Sequence, residues 1–447
     1  MDKMKLYPLD LAEYSGKWVR DEENHCLALE NIVTCSRALR PDLQCINLYV
    51  PIDGKQDAPI VLRTCVGGYS EAVPEKLDDF GRECLAAGFV YVTAGARGKQ
   101  TTDENGTFIG KAPIGLVDTK AAVRFLKHNA GKFPGDVNKI LSTGVSAGGA
   151  LSSLLAATGS CAEYLPYLEE AGAAMDVGDD VFAAQCYCPI IDLHHADAAY
   201  EWMFDGVHTY RGFDGQLHEL NAFSQALSAQ LKDIYIEYFN SLGAKHPETG
   251  EPLLIGQDGR SGTAYEYLME VVQNAAKAAG SDFVPQSLEE MYRGYLTRLK
   301  PCPSFDAIDY NNPETQVFGS KDVDYLHFSP DVARAIDAVK DDFPKEYAQH
   351  YAAYARSKWD EKQMLQRQLL DPFHFIGTEA AGQYPQHIRI RVGTKDPHTS
   401  FTMAMLLAAK FQNTGHPDVD YAMVWDQDHC AADVPGGFAA WVRRITE

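Results

Sequence analysis

Residues 139–159 read KILSTGVSAGGALSSLLAATG, and this stretch decides the fold. It opens on a short strand-like run, passes through a glycine-flanked turn and closes on an Ala- and Leu-rich helical run. At its centre, Gly144-Val145-Ser146-Ala147-Gly148 fits the pattern G-x-S-x-G. A serine on so tight a strand-to-helix turn must adopt a strained backbone, which small neighbours permit. The turn lifts the hydroxyl clear of the sheet and aims the Ala147 amide at the place where an oxyanion would form. Alone, the five residues would also suit a glycine-lined turn holding an ordinary serine. The strand before them and the helix after them favour a nucleophile.

Working outward, CINLYVPI (45–52), PIVLRTCV (59–66) and AGFVYVTAG (87–95) are strand-like runs bounded by Gly, Pro or Asp. DTKAAVRFLKHNAGK (118–132) has helical spacing and is predicted to end before Pro134 and Gly135. VFAAQCYCPIID (181–192) is a further buried strand. Three amphipathic helices follow, over 220–244, 263–280 and 285–300, with no convincing strand between them. Strand–helix alternation resumes with HIRIRVG (387–393), a helix over 400–415, VDYAMVWDQ (419–427) and the closing helix GGFAAWVRRI. This order predicts an α/β-hydrolase fold with a mostly parallel sheet, formed by residues 1–192 and 386–447. Residues 193–385, far too many for a plain loop, are expected to form a large, mostly helical cap.

Composition narrows the partners. The chain has 447 residues, 45% of them apolar, and a formal net charge of −22. A charge of this sign repels nucleic acid and anionic membrane surfaces, and because the surplus acid is spread along the chain it reads as a well-solvated surface. The N-terminal residues carry charges throughout and no apolar run of about seven residues, so no export signal and a cytoplasmic location are expected. No run approaches the roughly 18 apolar residues of a membrane span. Of ten scattered cysteines, only Cys186 and Cys188 stand close together. On a strand they would share a face, as a metal pair could, but buried thiols acting as small hydrophobes are the better reading.

In α/β-hydrolase order an acid and a histidine follow the serine, on loops after later strands. Asp396 lies just past HIRIRVG and His429 just past VDYAMVW. His398 competes for the role of base, yet it shares a short loop with the acid and would have to fold back towards Ser146. His429 arrives from a separate loop and is preferred. Asp192 is the substitute acid, while Asp426 and Asp428 are too close to His429 along the chain to align with its ring. The adjacent His194 and His195 invite a metal reading, but no further His or Cys stands at ligand spacing, so a structural role is favoured. Val66-Gly67-Gly68-Tyr69 ends an earlier strand, where this architecture places a second oxyanion donor.

With these residues in place the chain resembles the bacterial tannases and their relatives among phenolic-acid esterases. The resemblance runs through TCVGGY (64–69), GARGK (95–99), GVSAGGA (144–150) and CYCPIIDLHHADAAYEWMFDG (186–206). It continues in LTRLKPCPSFDAIDYNNPETQVFG (296–319), GTKDPHTSF (393–401) and WDQDH (425–429). It implies cleavage of esters of hydroxylated aromatic acids such as gallate, with Ser146, Asp396 and His429 as the triad. The amides of Gly68 and Ala147 would form the oxyanion hole, and Lys300 and Glu314 would clamp the ring hydroxyls. On their residue types alone, Lys300 and Glu314 read as surface charges. One position departs from the family: where tannases keep a second aspartate against the galloyl hydroxyls, this chain has His398.

The reading is a cytosolic serine esterase of phenolic esters, galloyl-type favoured, that needs no cofactor or metal. A feruloyl- or caffeoyl-type esterase keeps the same machinery with another acyl group. A serine exopeptidase stands further away, and a catalytically dead binder is disfavoured by the intact order of Ser, Asp and His.

Overall fold

The computed structural model describes residues 5–212, 214–308, 312–343, 361–415 and 418–447. Residues 309–311 of the stretch 296–319, and 344–360 of the expected cap, lie outside these. Among the described residues there are eleven strands: β1 (Val19–Asp21), β2 (Cys26–Val33), β3 (Cys45–Pro51), β4 (Ile60–Thr64), β5 (Val90–Ala94), β6 (Ile140–Val145), β7 (Ala183–Tyr187), β8 (Thr209–Arg211), β9 (Leu217–Glu219), β10 (His387–Gly393) and β11 (Asp418–Val424). Nine form one sheet in the order β1-β2-β3-β5-β4-β6-β7-β10-β11. From β5 to β11 every pairing is parallel, while β1, β2 and β3 join antiparallel.

The central strands are apolar on both faces because both faces are covered. Every residue of β5 and of β7 is buried. On one face, α1 (Asp79–Ala86) and the closing helix Gly437–Thr446 contribute Cys84, Leu85, Phe438, Trp441 and Val442 to a core with Tyr91 and Leu141. On the other lie α2 (Ile114–His128), α3 (Ala147–Ala157) and the helix Phe401–Asn413.

The connection from β6 to β7 carries α4 (Leu165–Ala171), and between β7 and β10 the chain runs through α5 (Leu193–Met203), α6 (Ala222–Ser241), α7 (Thr263–Ala278), α8 (Leu288–Met291) and α9 (Pro330–Val339).

 The insertion proper therefore begins at α5, since α4 closes the crossover from β6 to β7. Its long helix α6 buries Phe223, Leu227, Leu231, Ile234, Tyr235 and Phe239, packed against α5 and α9. These side chains are continuous with the apolar core of the sheet, so the insertion is built onto the sheet and does not pack as a separate body. Among the described residues no helix is long and apolar enough to cross a membrane.

Two expected helices need correction, and two strand pairs lie outside the sequence reading. The helix expected over 118–132 spans Ile114–His128, because Asn129 turns its side chain onto the Leu11 amide and the Leu9 and Phe125 carbonyls. The helix expected over 285–300 is a single turn, Leu288–Met291, capped by Ser287. Gly294 then takes φ +101, and the chain runs irregularly to Lys300. β1 and β2 were not anticipated ahead of residue 45. The insertion also holds a hairpin, β8 with β9, whose three-residue strands are too short for a periodic signal.

Candidate active site

β6 delivers Ser146 to a turn that only small residues permit. Ser146 has φ +61 and ψ −120, a conformation that L-residues rarely adopt. A Cβ on Gly144 would stand 2.3 Å from Thr64 Oγ1 and 2.4 Å from the Gly148 carbonyl, and one on Gly149 would stand 2.3 Å from the Tyr187 oxygen. The Ser146 amide donates to the Tyr187 carbonyl at 3.1 Å, while the Ser146 carbonyl accepts from Ala150 at 2.9 Å and Ile190 at 3.3 Å. The Ala147 amide opens α3, where amides and helix dipole favour negative charge.

The loop after β4 faces this turn. Gly68 and Tyr69 both take positive φ, +54 and +56. Lys99 Nζ donates to the Gly68 carbonyl at 2.6 Å, and the Tyr69 hydroxyl donates to the Ile190 carbonyl at 2.6 Å. The loop is thus fixed to the segment that also holds Ser146.

The loops after β10 and β11 bring Asp396 and His429 together. His429 Nδ1 lies 2.8 Å from Asp396 Oδ2, and the other carboxylate oxygen accepts from the His398 amide at 2.8 Å. Asp396 is fully buried and His429 only partly so. With Nδ1 on the acid, Nε2 is the nitrogen left for proton transfer. Cys188 links these loops to the serine turn. Its Sγ donates to the Cys430 carbonyl at 3.3 Å, its amide donates to the Arg391 carbonyl at 2.8 Å, and its thiol lies beside the Ser146 amide.

The competitors separate by position. His398 bonds Asp396 through its backbone amide, and its ring stands 4.5 Å from that of His429. Burial, with the neighbouring charges of His429 and Lys300, pushes the His398 imidazole down to about 4. Asp192 lies fully buried at the start of α5, accepting from the Tyr238 hydroxyl at 2.6 Å, in a separate cluster with His194 and His195. Asp426 pairs with Lys395.

The insertion closes on the same place. Lys300 is 5% exposed, its Nζ 3.5 Å from the centre of the Phe305 ring. Burial lowers its pKa, and the charges of Glu314, Asp197 and Asp396 oppose that shift. Glu314 sits in the short turn Pro313–Gln316, where its charge also acts on Lys99 and Tyr69. Lys300 and Glu314 therefore flank the Gly68 loop and the Asp396 loop.

What holds Lys300 there was not legible from residue types. The Tyr200 hydroxyl accepts from the amides of Leu299 and Lys300, both at 3.3 Å, and donates to the Pro397 carbonyl at 3.0 Å. One helical residue on, Glu201 pairs with Arg298 at 2.6 Å, both fully buried. Asp197 accepts from the amides of Ser304, Phe305 and Asp306 at 2.6 to 3.0 Å. Thus α5 carries the supports and the 298–306 segment carries the lysine. The positions lie inside the family-like stretches, but nothing in their spacing gave them a task.

A serine at a strained strand-to-helix turn, with a buried acid and a histidine on two later loops of a mostly parallel sheet, defines an α/β-hydrolase. A family model described as BD-FAE matches residues 46–182. A comparison with curated protein sequences gives no match. Among solved structures, a tannase from Fusobacterium nucleatum is 31% identical with a TM-score of 0.83, covering 94% of this chain and 95% of that one. The tannin acyl hydrolase of Lactobacillus plantarum in its native structure is 30% identical with a TM-score of 0.84, covering 97% and 98%. A tannin acyl hydrolase in complex with ethyl gallate is 30% identical with a TM-score of 0.81, covering 94% of each chain. The protein is a carboxylic ester hydrolase. It belongs to the bacterial tannase family.

Proposed function

We propose that this protein hydrolyses esters of hydroxylated aromatic acids, galloyl-type esters foremost, through an acyl-enzyme on Ser146. Ser146 Oγ attacks the ester carbonyl carbon while His429 Nε2 takes its proton, held in the right tautomer by Asp396. Amides of Gly68 and Ala147 bind the tetrahedral oxyanion. The intermediate collapses by breaking the bond to the alcohol, which leaves with the proton from His429. Water, deprotonated by His429, then attacks the acyl-enzyme and releases the acid and Ser146.

Residues 193–385 act as a cap over the acyl group. The observation that carries this reading is the position of a buried Lys300 and of Glu314 beside the loops of Gly68 and Asp396. A phenolic hydroxyl both donates and accepts, so a carboxylate acceptor and an ammonium donor together read a ring edge bearing adjacent hydroxyls. Such a site discriminates against rings that lack them. The ethyl gallate complex of a relative supports an aromatic acyl group of this kind.

A second reading rests on His398. An imidazole held neutral at neutral pH replaces the family's carboxylate, which suits an acyl ring with fewer hydroxyls or with a methoxy group. A panel of methyl gallate, protocatechuate, ferulate, caffeate and a plain acetate separates the readings. Wild type is expected to prefer the hydroxylated rings, and Ser146→Ala to lose all of them. Activity persisting in Ser146→Ala would remove the nucleophile, and acetate turned over faster than every phenolic ester would remove the clamp. His398→Asp is expected to raise gallate turnover relative to ferulate. An unchanged ratio would leave His398 out of recognition.

A further inference from the structure

The start of α5 holds a second cluster, remote in chemistry from the serine. Asp192 is fully buried with φ +50. Its Oδ2 accepts from Tyr238, but its Oδ1, equally buried, has no hydrogen-bond partner. An orphaned buried carboxylate oxygen is costly and calls for a cation. His194 Nε2 stands 3.3 Å from that oxygen and 3.6 Å from Asp371 Oδ2. His195 Nδ1 lies 2.7 Å from Asp331 Oδ2, so Nε2 is the nitrogen that a metal ion would take, displacing its proton. The ligand atoms of Asp192, His194 and His195 all lie within 4.8 Å of one another.

The His194 to Asp192 separation suits one ion: bonds of about 2.0–2.1 Å at tetrahedral angles place neighbouring ligand atoms about 3.3 Å apart. Asp371 stands outside this trio: its Oδ1 accepts from the Phe373 amide at 2.8 Å, while its Oδ2 faces His194. Two imidazoles and a carboxylate suit a borderline divalent cation, and zinc above calcium or magnesium. Three carboxylates, Asp192, Asp331 and Asp371, share this small volume with Arg367 and His195.

We propose that Asp192, His194 and His195 bind a divalent transition-metal ion, zinc by donor set, with Asp331 orienting His195 and Asp371 facing His194. Through those two carboxylates the site joins the first turn of α5 to α9 and to the helix Pro372–Phe375. It sits at the foot of the helix that carries Tyr200 and Glu201, and it is independent of the ester chemistry proposed above.

The test uses the full chain, stripped with a chelator, dialysed and titrated with Zn²⁺. We expect about one equivalent bound by elemental analysis and a rise in Tm of a few degrees. Cobalt should give the visible bands of a tetrahedral site without a thiolate-to-metal band, which separates this cluster from the ten cysteines. Asp192→Asn and His194→Gln should each lose the equivalent, while Cys430→Ser keeps it. Folded wild type that takes up no stoichiometric zinc would overturn the proposal, even if both variants fail to fold. So would a cobalt spectrum of thiolate type, or full binding in both ligand variants.

Discussion

The hydroxyl of Tyr200 donates to the carbonyl of Pro397 at 3.0 Å. Pro397 separates Asp396 from His398, and the same hydroxyl accepts from the amides of Leu299 and Lys300. One phenol therefore sets the spacing between the loop of the proposed catalytic acid and the loop of the proposed substrate clamp. Tyr200→Phe leaves a carbonyl and two amides without that partner, at a cost of about 1–3 kcal/mol. The expected result is a lower urea midpoint and a loss of phenolic-ester turnover greater than that of acetate. Equal losses on both substrates would assign Tyr200 to stability alone.

Asp396 Oδ2 lies 2.8 Å from His429 Nδ1, and as the proposed acid it would fix the tautomer of that ring. Asp396→Asn keeps the shape and removes the charge, and is expected to lower kcat by roughly 10⁴ with KM little changed. Steady-state kinetics on one phenolic ester, with circular dichroism to confirm the fold, checks this. A loss under tenfold would move the acid elsewhere.

The serine turn has no room for a Cβ at residue 144. Gly144→Ala would press a methyl against Thr64 Oγ1 and the Gly148 backbone, whereas a Cβ on Gly67 meets nothing within 4 Å. Gly144→Ala is expected to cost about 1–3 kcal/mol or more, and Gly67→Ala to stay within about 0.5 kcal/mol. Paired urea unfolding curves measure the contrast. Similar stabilities for the two variants would contradict the packing described.

His398 gives a dependence on acid. Its folded pKa of about 4 lies below the ordinary value of 6.5, so the unfolded chain binds the extra proton first. Stability is then lost as pH falls from about 6.5 towards 4, and His398→Leu should lessen that loss. Above the window the ring stays neutral, so KM for a phenolic ester should not change with His398 ionisation between pH 8 and 6. A histidine NMR signal from residue 398 titrating near 6.5 would refute this.

The residues that proved easiest to read were those whose neighbours are dictated by the chain itself. The Gly144–Gly148 turn is local, and β10 and β11 are uninterrupted strands whose ends deliver Asp396 and His429. The support of Lys300 was hidden for the opposite reason. Arg298 and Glu201 are 97 residues apart and pair only in the folded protein, so each looks like a solvated charge. Asp197 reaches the amides of 304–306 across a similar gap. The expected helix over 285–300 failed because its apolar spacing was sound while Gly294 and the pull of Tyr200 on residues 299 and 300 favoured an irregular path.

The buried Arg298–Glu201 pair limits how this enzyme can be recombined. Moving residues 298–306 alone into a homologue would strand an arginine in an apolar interior, and moving α5 alone would strand a glutamate. A chimera meant to exchange acyl preference has to transplant both segments together. Over evolutionary time the two should be inherited as one unit, although almost a hundred residues of chain lie between them.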